Sequence, residues 1–229
     1  MNINKATLSE QIYEILRNDI LTSRFLPGEK LTLKSLQERF GVSSTPVRDA
    51  LTRLSDEGLA VYDSNVGVKV IRLSEADLRE LYQFMGDLDG LAILYASKYK
   101  DQEILHNQLK ENIEKTSLIF SCEKEGRALS QEEILDWKEL SDNFHLIFYY
   151  FCDNNRLTRA AKQQRSQLTI YSNLYETALS CQLAIERFHI SIYQAYREGN
   201  YELAARQMRE HLNESLTFAL HQTSKTSTR

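Results

Sequence analysis

Apolar residues recur every three or four positions over most of this chain, the spacing of amphipathic helices. The first run is Leu8, Ile12, Ile15, Leu16 and Ile20. It opens on Thr7-x-x-Glu10, where the Thr oxygen and the Glu carboxylate can each satisfy an orphan amide. Pro27-Gly28-Glu29 marks a turn. Thr32 can cap a second helix running to Phe40, and Gly41 supplies a left-handed residue to close it. Ser43 can cap a third, with Pro46 in its first turn, where a missing amide costs little. Val47, Leu51 and Leu54 form its inner stripe and Gly58 ends it. The period then falls to two. Leu59–Tyr62 and Val66–Ile71 are short β-prone runs around Asp63-Ser64-Asn65, a hairpin signal.

Ser74-x-x-Asp77 caps a new helix and places a domain boundary near Leu73. Beyond it the spacing predicts helices at about 75–99, 101–122, 131–152, 155–179, 181–198 and 200–222. Ser130-x-x-Glu133 is another capping box, and Gly126 and Glu198-Gly199-Asn200 interrupt the pattern. The tail 223–229 is polar and expected to fray. The expected fold is mainly α. A winged helix-turn-helix occupies 1–73, and an all-α antiparallel helical bundle occupies 74–222.

Composition changes this picture little. Two Pro and 8 Gly in 229 residues fit a helical chain. Three Cys without paired spacing fit a reducing cytosol, and the N-terminus lacks the apolar core of a signal peptide, so the expected location is cytoplasmic. The apolar run near Phe144–Phe151, interrupted by His145, is too short to span a bilayer. Charge is more informative. Residues 1–73 hold 10 Lys/Arg against 9 Asp/Glu, while the remainder holds 18 against 23. The acid thus lies away from the helix-turn-helix, but a surplus of one cation is weak electrostatic support, and a nucleic-acid reading rests on the motif.

In a winged helix-turn-helix the third helix enters the major groove with its N-terminal residues on base edges. Those residues here are Ser43, Ser44, Thr45 and Arg48. Hydroxyls can bond phosphate or base edges, and Arg can fork onto guanine or grip phosphate. Lys34 can touch backbone, and Gly67 and Lys69 in the wing can approach the minor groove or phosphate. Arg53 reads as a solvated face or a phosphate contact. The competing reading is a small helical domain that meets only protein.

Three of five His sit on apolar stripes: His145 with Phe144, Phe148 and Cys152, His189 with Ile185 and Ile192, His211 with Ala204 and Met208. A turn at Gly199-Asn200 folds the last two helices back on each other. At about 1.5 Å per residue, His189 and His211 then stand level, roughly 16 Å from the turn. Two level inward imidazoles can share a partner, and His145 can complete a set of three for zinc, nickel or a similar ion. The plain alternative is three core histidines, each bonded to a neighbour.

The stretch Leu33–Leu59, with Gly41-Val42-Ser43-Ser44-Thr45-Pro46-Val47-Arg48-Asp49-Ala50-Leu51 and Glu57-Gly58-Leu59 inside it, resembles the GntR family of bacterial transcription regulators. The family usually carries Arg where Ser44 stands, so one strong phosphate or guanine contact is missing. The resemblance implies a homodimer on a palindromic operator, two-fold protein symmetry matching two half-sites. Residues 74–222 resemble the FCD effector domain of the family's FadR branch, which commonly holds a metal through an Asp and three His. Ser141-Asp142-Asn143-Phe144-His145, Phe188-His189 and Glu210-His211-Leu212 carry the match. Ser141 stands where the acidic ligand is expected, and Asp142 is the substitute on that face. The family's pocket Arg is replaced by Met85, which argues against the usual small organic acid, or for another gripping residue such as Arg165. Tyr82, Asp89 and Tyr171 are the remaining pocket candidates.

The expected function is therefore a ligand-responsive transcription regulator. Its partners are double-stranded operator DNA, a small-molecule effector and a second copy of itself, with a divalent metal of the zinc or nickel type as cofactor. The alternatives are a metal-dependent hydrolase using the three His, which lacks a general base at motif spacing, and a protein-interaction module.

Overall fold

The structure, a computed structural model, describes residues 7–63, 67–121, 127–176 and 178–226, with side chains to 222. The hairpin apex at Ser64-Asn65, Val66, Cys122, the break at Gly126 and the tail beyond Thr226 lie outside the described residues. The chain forms two compact units. One comprises the chain up to Asp77 together with Gln163–Leu174, the other Leu78–Lys162 with the chain from Tyr175 onward.

The first unit opens with α1 (Leu8–Leu21), whose N-cap Thr7 accepts from the Glu10 amide. The Glu10 carboxylate stands 3.7 Å from Arg53. Ile12, Leu16 and Ile20 are buried, whereas Leu8 and Ile15 face outward. A two-residue strand, β1 (Lys30–Leu31), leads into α2 (Leu33–Phe40), capped by Thr32 and closed by Gly41 at φ 65°. Next come α3 (Ser44–Asp56), β2 (Ala60–Asp63) and β3 (Gly67–Val70). The sheet is antiparallel in the order β1-β3-β2, with Lys30 opposite Lys69 and Val61 opposite Lys69 on the other side. Val47, Leu51 and Leu54 of α3 are buried, as are Leu16, Leu36 and Val70, in the apolar core of this unit.

A later segment completes this unit. From Gln163 to Leu174, helix α7 (Asn155–Tyr175) clasps the rim of the winged fold. Ser166 donates to Glu57 at 2.7 Å and Gln167 to the Gly58 carbonyl at 3.0 Å. The Leu73 amide donates to Tyr171, and Asn173 donates to the Leu21 carbonyl. Gly58 has φ 77°, so the turn favours glycine, and a Cβ there would displace the Gln167 amide that bonds its carbonyl.

The second unit is helical: most of α4 (Glu75–Ala96), α5 (Gln102–Ile119), α6 (Gln131–Phe151), the start of α7, α8 (Leu179–Arg197) and α9 (Tyr201–Thr226). Reciprocal capping at Ser130 and Glu133 starts α6. Gly199 at φ 77° lets α9 fold back on α8. Gly86 and Gly90 let α9 approach α4: a Cβ on Gly90 would stand 3.2 Å from the Arg209 guanidinium. Trp137, Phe144, Phe148 and Tyr196 are fully buried in this bundle. No helix among the described residues is long and apolar enough to cross a membrane.

Candidate functional sites

On the winged unit, Lys34, Ser43, Thr45, Arg48 and Gly67 are exposed, and Ser44 is half-buried. Ser43 occupies the N-cap of α3 without a side-chain cap bond, so its hydroxyl stays available for other contacts. Thr45, Arg48 and Thr52 lie three and four residues apart, hence on one outer face. Thr52 meets Tyr62 of β2 through their hydroxyls at 3.3 Å, two exposed groups that motif spacing does not single out.

Five cations of this unit are committed internally. Arg17 pairs with Glu57 at 2.9 Å, Arg24 and Arg39 with buried Asp19, and Lys69 with Asp63 at 2.8 Å. Arg53 stacks over Tyr13 with its guanidinium carbon 4.0 Å from the ring centre. Arg48 and Lys34 have no acidic partner within 4 Å among the described residues. Lys69 therefore approaches a phosphate only by leaving Asp63, a rearrangement that strand alternation alone does not reveal.

Glu57 is the hub under α3. Tyr13 donates to it at 2.6 Å, and Arg17 and Ser166 donate as well. Burial opposes its ionisation, but these three donors prevail and hold its carboxyl below the usual carboxylate range. Tyr13, half-buried and donating to that carboxylate, is pushed up to about 12.

In the helical unit α6, α8 and α9 bring His145, His189 and His211 together, each buried, with ligand atoms all within 4.8 Å of one another. Ring centres lie 5.2 Å apart for His145 and His189, 5.2 Å for His145 and His211, and 4.9 Å for His189 and His211. Phe144 stacks on His189 at 4.3 Å, and Phe188 covers His211. Two nitrogens sharing one ion at about 2.1 Å can stand at most about 4.2 Å apart, so small ring adjustments close this trio on a zinc-type ion. Three neutral imidazoles walled by aromatic rings are a donor set suited to such an ion.

The acid at the trio is Asp89 of α4. Its Oδ2 lies 2.8 Å from His145 Nδ1, and Tyr149 donates to its Oδ1 at 2.5 Å. Asp142 is not in the trio; it is half-buried near Lys138. Three residues before His145 on α6, it sits about 60° around the helix from that ring. Ser141, one turn before His145, is buried. On α8, Glu186 has an oxygen 3.9 Å from His189 Nδ1. Both its oxygens lack hydrogen-bond partners, and burial pushes its carboxyl up to about 8. Spacing already marks it, an acid three residues before an inward His.

The five expected pocket residues are divided between the two units. Asp89 meets the histidines. Met85 is fully buried, and Tyr82 is buried with its hydroxyl 3.1 Å from that of Tyr175. Tyr82 also edges a cavity of about 450 Å³ with Arg79, Asp87 and Arg209. Arg165 and Tyr171 fall in the part of α7 that belongs to the winged unit. That helix turns its last half toward Glu57, Gly58 and Leu73, which helical spacing alone does not foretell.

Comparison with known proteins agrees with both halves. Residues 8–70 match the model of bacterial regulatory proteins of the gntR family, and residues 80–214 match the FCD domain. The chain is 26% identical over 207 residues to the HTH-type transcriptional repressor RspR of Escherichia coli K12, covering 90% of this chain and 86% of that one. It is 26% identical over 211 residues to the uncharacterized HTH-type transcriptional regulator YdhC of Bacillus subtilis, covering 92% and 90%. The solved E. coli McbR/YncC shares the fold at TM-score 0.72 and 21% identity, over 96% of this chain and 100% of that one. A winged reading head, a helical unit with three gathered histidines and these matches lead to one assignment: the chain belongs to the GntR family of bacterial transcription regulators, as a DNA-binding, effector-responsive member with an FCD domain.

Proposed function

We propose that α3 reads a palindromic operator from the major groove, as one head of a homodimer, while the helical unit senses a small molecule beside a divalent ion. The observation that carries this reading is the selective availability of cations on the winged unit. Arg17, Arg24, Arg39, Arg53 and Lys69 are tied within the fold; Lys30, Lys34, Arg48 and Arg72 are exposed, and of these Arg48 shares the outer face of α3 with Thr45. Arg48 is the base or phosphate contact, Ser43, Ser44 and Thr45 hold base edges or backbone, and Gly67 approaches the flanking groove, joined by Lys69 once it leaves Asp63. Pairing supports the homodimer through α4, where Phe84, Leu91 and Tyr95 are exposed at helical spacing. Such a protein works in the cytoplasm, where its operator is.

His145, His189 and His211 would hold the ion, of the zinc or nickel type, and the ion when bound supplies Lewis-acid attraction for an effector. Phe144 and Phe188 exclude water around the rings. An effector shifts operator affinity only through different affinities for the two head placements. The hydrolase alternative finds no support, since relatives aligning over nine-tenths of the chain are transcription regulators.

The test is a salt-titrated binding assay on the DNA upstream of the protein's own gene. Arg48→Ala should weaken specific binding by about 1–3 kcal/mol. No specific complex at physiological salt, with or without metabolites, overturns the reading.

A further inference from the structure

Any ion held by His145, His189 and His211 would sit among neutral imidazoles in an aromatic-walled space. A divalent charge in so dry a place needs a carboxylate within reach to balance it. The structure offers two carboxylates, each placed behind a histidine. Asp89, 2% exposed, holds Nδ1 of His145 at 2.8 Å, while its other oxygen accepts from Tyr149. An ionised carboxylate only accepts, so with Asp89 ionised Nδ1 would carry the proton and Nε2 the lone pair of His145. Glu186, 5% exposed, lies 3.9 Å from Nδ1 of His189, beyond hydrogen-bond reach. Asp89 also comes from α4, an element that supplies none of the three histidines.

We infer that Asp89 is a positioning residue for a metal centre: it fixes the tautomer and aim of His145 and supplies the negative charge the imidazoles lack, while Glu186 stands behind His189 at longer reach. This rests on the metal reading above. The carboxylate acts through the ring and not as a ligand, since Asp89 is not among the groups that close on one another. Tyr149 in turn keeps the carboxylate from rotating, so the chain of contacts runs from phenol to carboxylate to imidazole.

The experiment uses the full chain stripped with a chelator and titrated with Co²⁺, and with Zn²⁺ in competition with a chromophoric chelator. Wild type should bind one ion per chain and develop cobalt ligand-field bands. Asp89→Asn should lower affinity 10- to 100-fold and shift those bands, with Asp89→Glu recovering part of the loss. Tyr149→Phe, which keeps the carboxylate and frees it to turn, should weaken binding less, and Glu186→Gln less than Asp89→Asn. Circular dichroism checks each fold; should Asp89→Asn unfold, Tyr149→Phe and Asp89→Glu decide the matter. Wild-type affinity and unshifted bands in folded Asp89→Asn overturn the inference while leaving the metal site standing. No Co²⁺ or Zn²⁺ bound by wild type overturns the metal reading itself, and with it this role for Asp89.

Discussion

Each unit buries one aspartate almost completely, and the two are answered differently. Asp19 is 1% exposed and meets two guanidinium groups, Arg24 at 3.1 Å and Arg39 at 2.6 Å. Asp89 is 2% exposed and meets an imidazole and a phenol. Guanidinium is always charged, so Asp19 is neutralised as the chain folds and the cluster fastens α1 to α2. Neither partner of Asp89 carries a permanent charge. It stands behind His145, so the same residue type is a brace in one unit and, on the metal reading proposed above, part of a site in the other.

The comparison breaks first at Asp19. Asp19→Asn should cost about 3 kcal/mol in urea unfolding, with or without metal, because a buried carboxylate loses its charge-assisted contacts to two partly exposed guanidinium groups. Asp89→Asn should leave the metal-free protein within about 1 kcal/mol of wild type, since the amide oxygen can still accept from Tyr149 and the amide nitrogen can meet His145. A large loss in the metal-free variant would make Asp89 another brace. Next in size is the metal's own contribution. Zinc at a hundredfold over Kd should stabilise wild type by about 2.7 kcal/mol, read as a raised melting temperature, and this gain should vanish in His189→Ala.

The smallest effect belongs to Glu57, a second carboxylate of the winged unit with built-in donors. Its folded pKa lies below the ordinary 4.5, so the unfolded chain binds the proton more readily. Its stabilisation is present above that value and fades as pH falls through the folded pKa. The melting-temperature gap between wild type and Glu57→Gln should narrow below about pH 4.5 and stay constant from pH 6 to 8.

Much of this was legible in residue order, because caps and periods are local. Thr7, Thr32 and Ser130 cap where their spacing places them, Gly41 takes its left-handed turn, and the helical starts fall within a few residues of expectation. The strand Lys30–Leu31 was not legible: two residues carry no period, and they become a strand only by pairing with Val68 and Lys69. Lys69 reads as a free wing cation until Asp63 is seen across the hairpin. Asp142 reads as the acid nearest His145 because it is close in sequence, whereas Asp89 arrives from 56 residues away on another helix. The signal for it was present, an acid inside the apolar stripe of Leu81, Tyr82, Met85 and Leu88.

The return of α7 to the winged unit has a consequence for engineering chimaeras. Cutting after Asp77 would release a head stripped of Ser166, Gln167, Tyr171 and Asn173, leaving the Gly58 carbonyl, the Leu73 amide and the Leu21 carbonyl to find water instead. Swapping reading heads between such regulators at that seam therefore transplants an incomplete module, and a sound graft must carry the borrowed half-helix along with it.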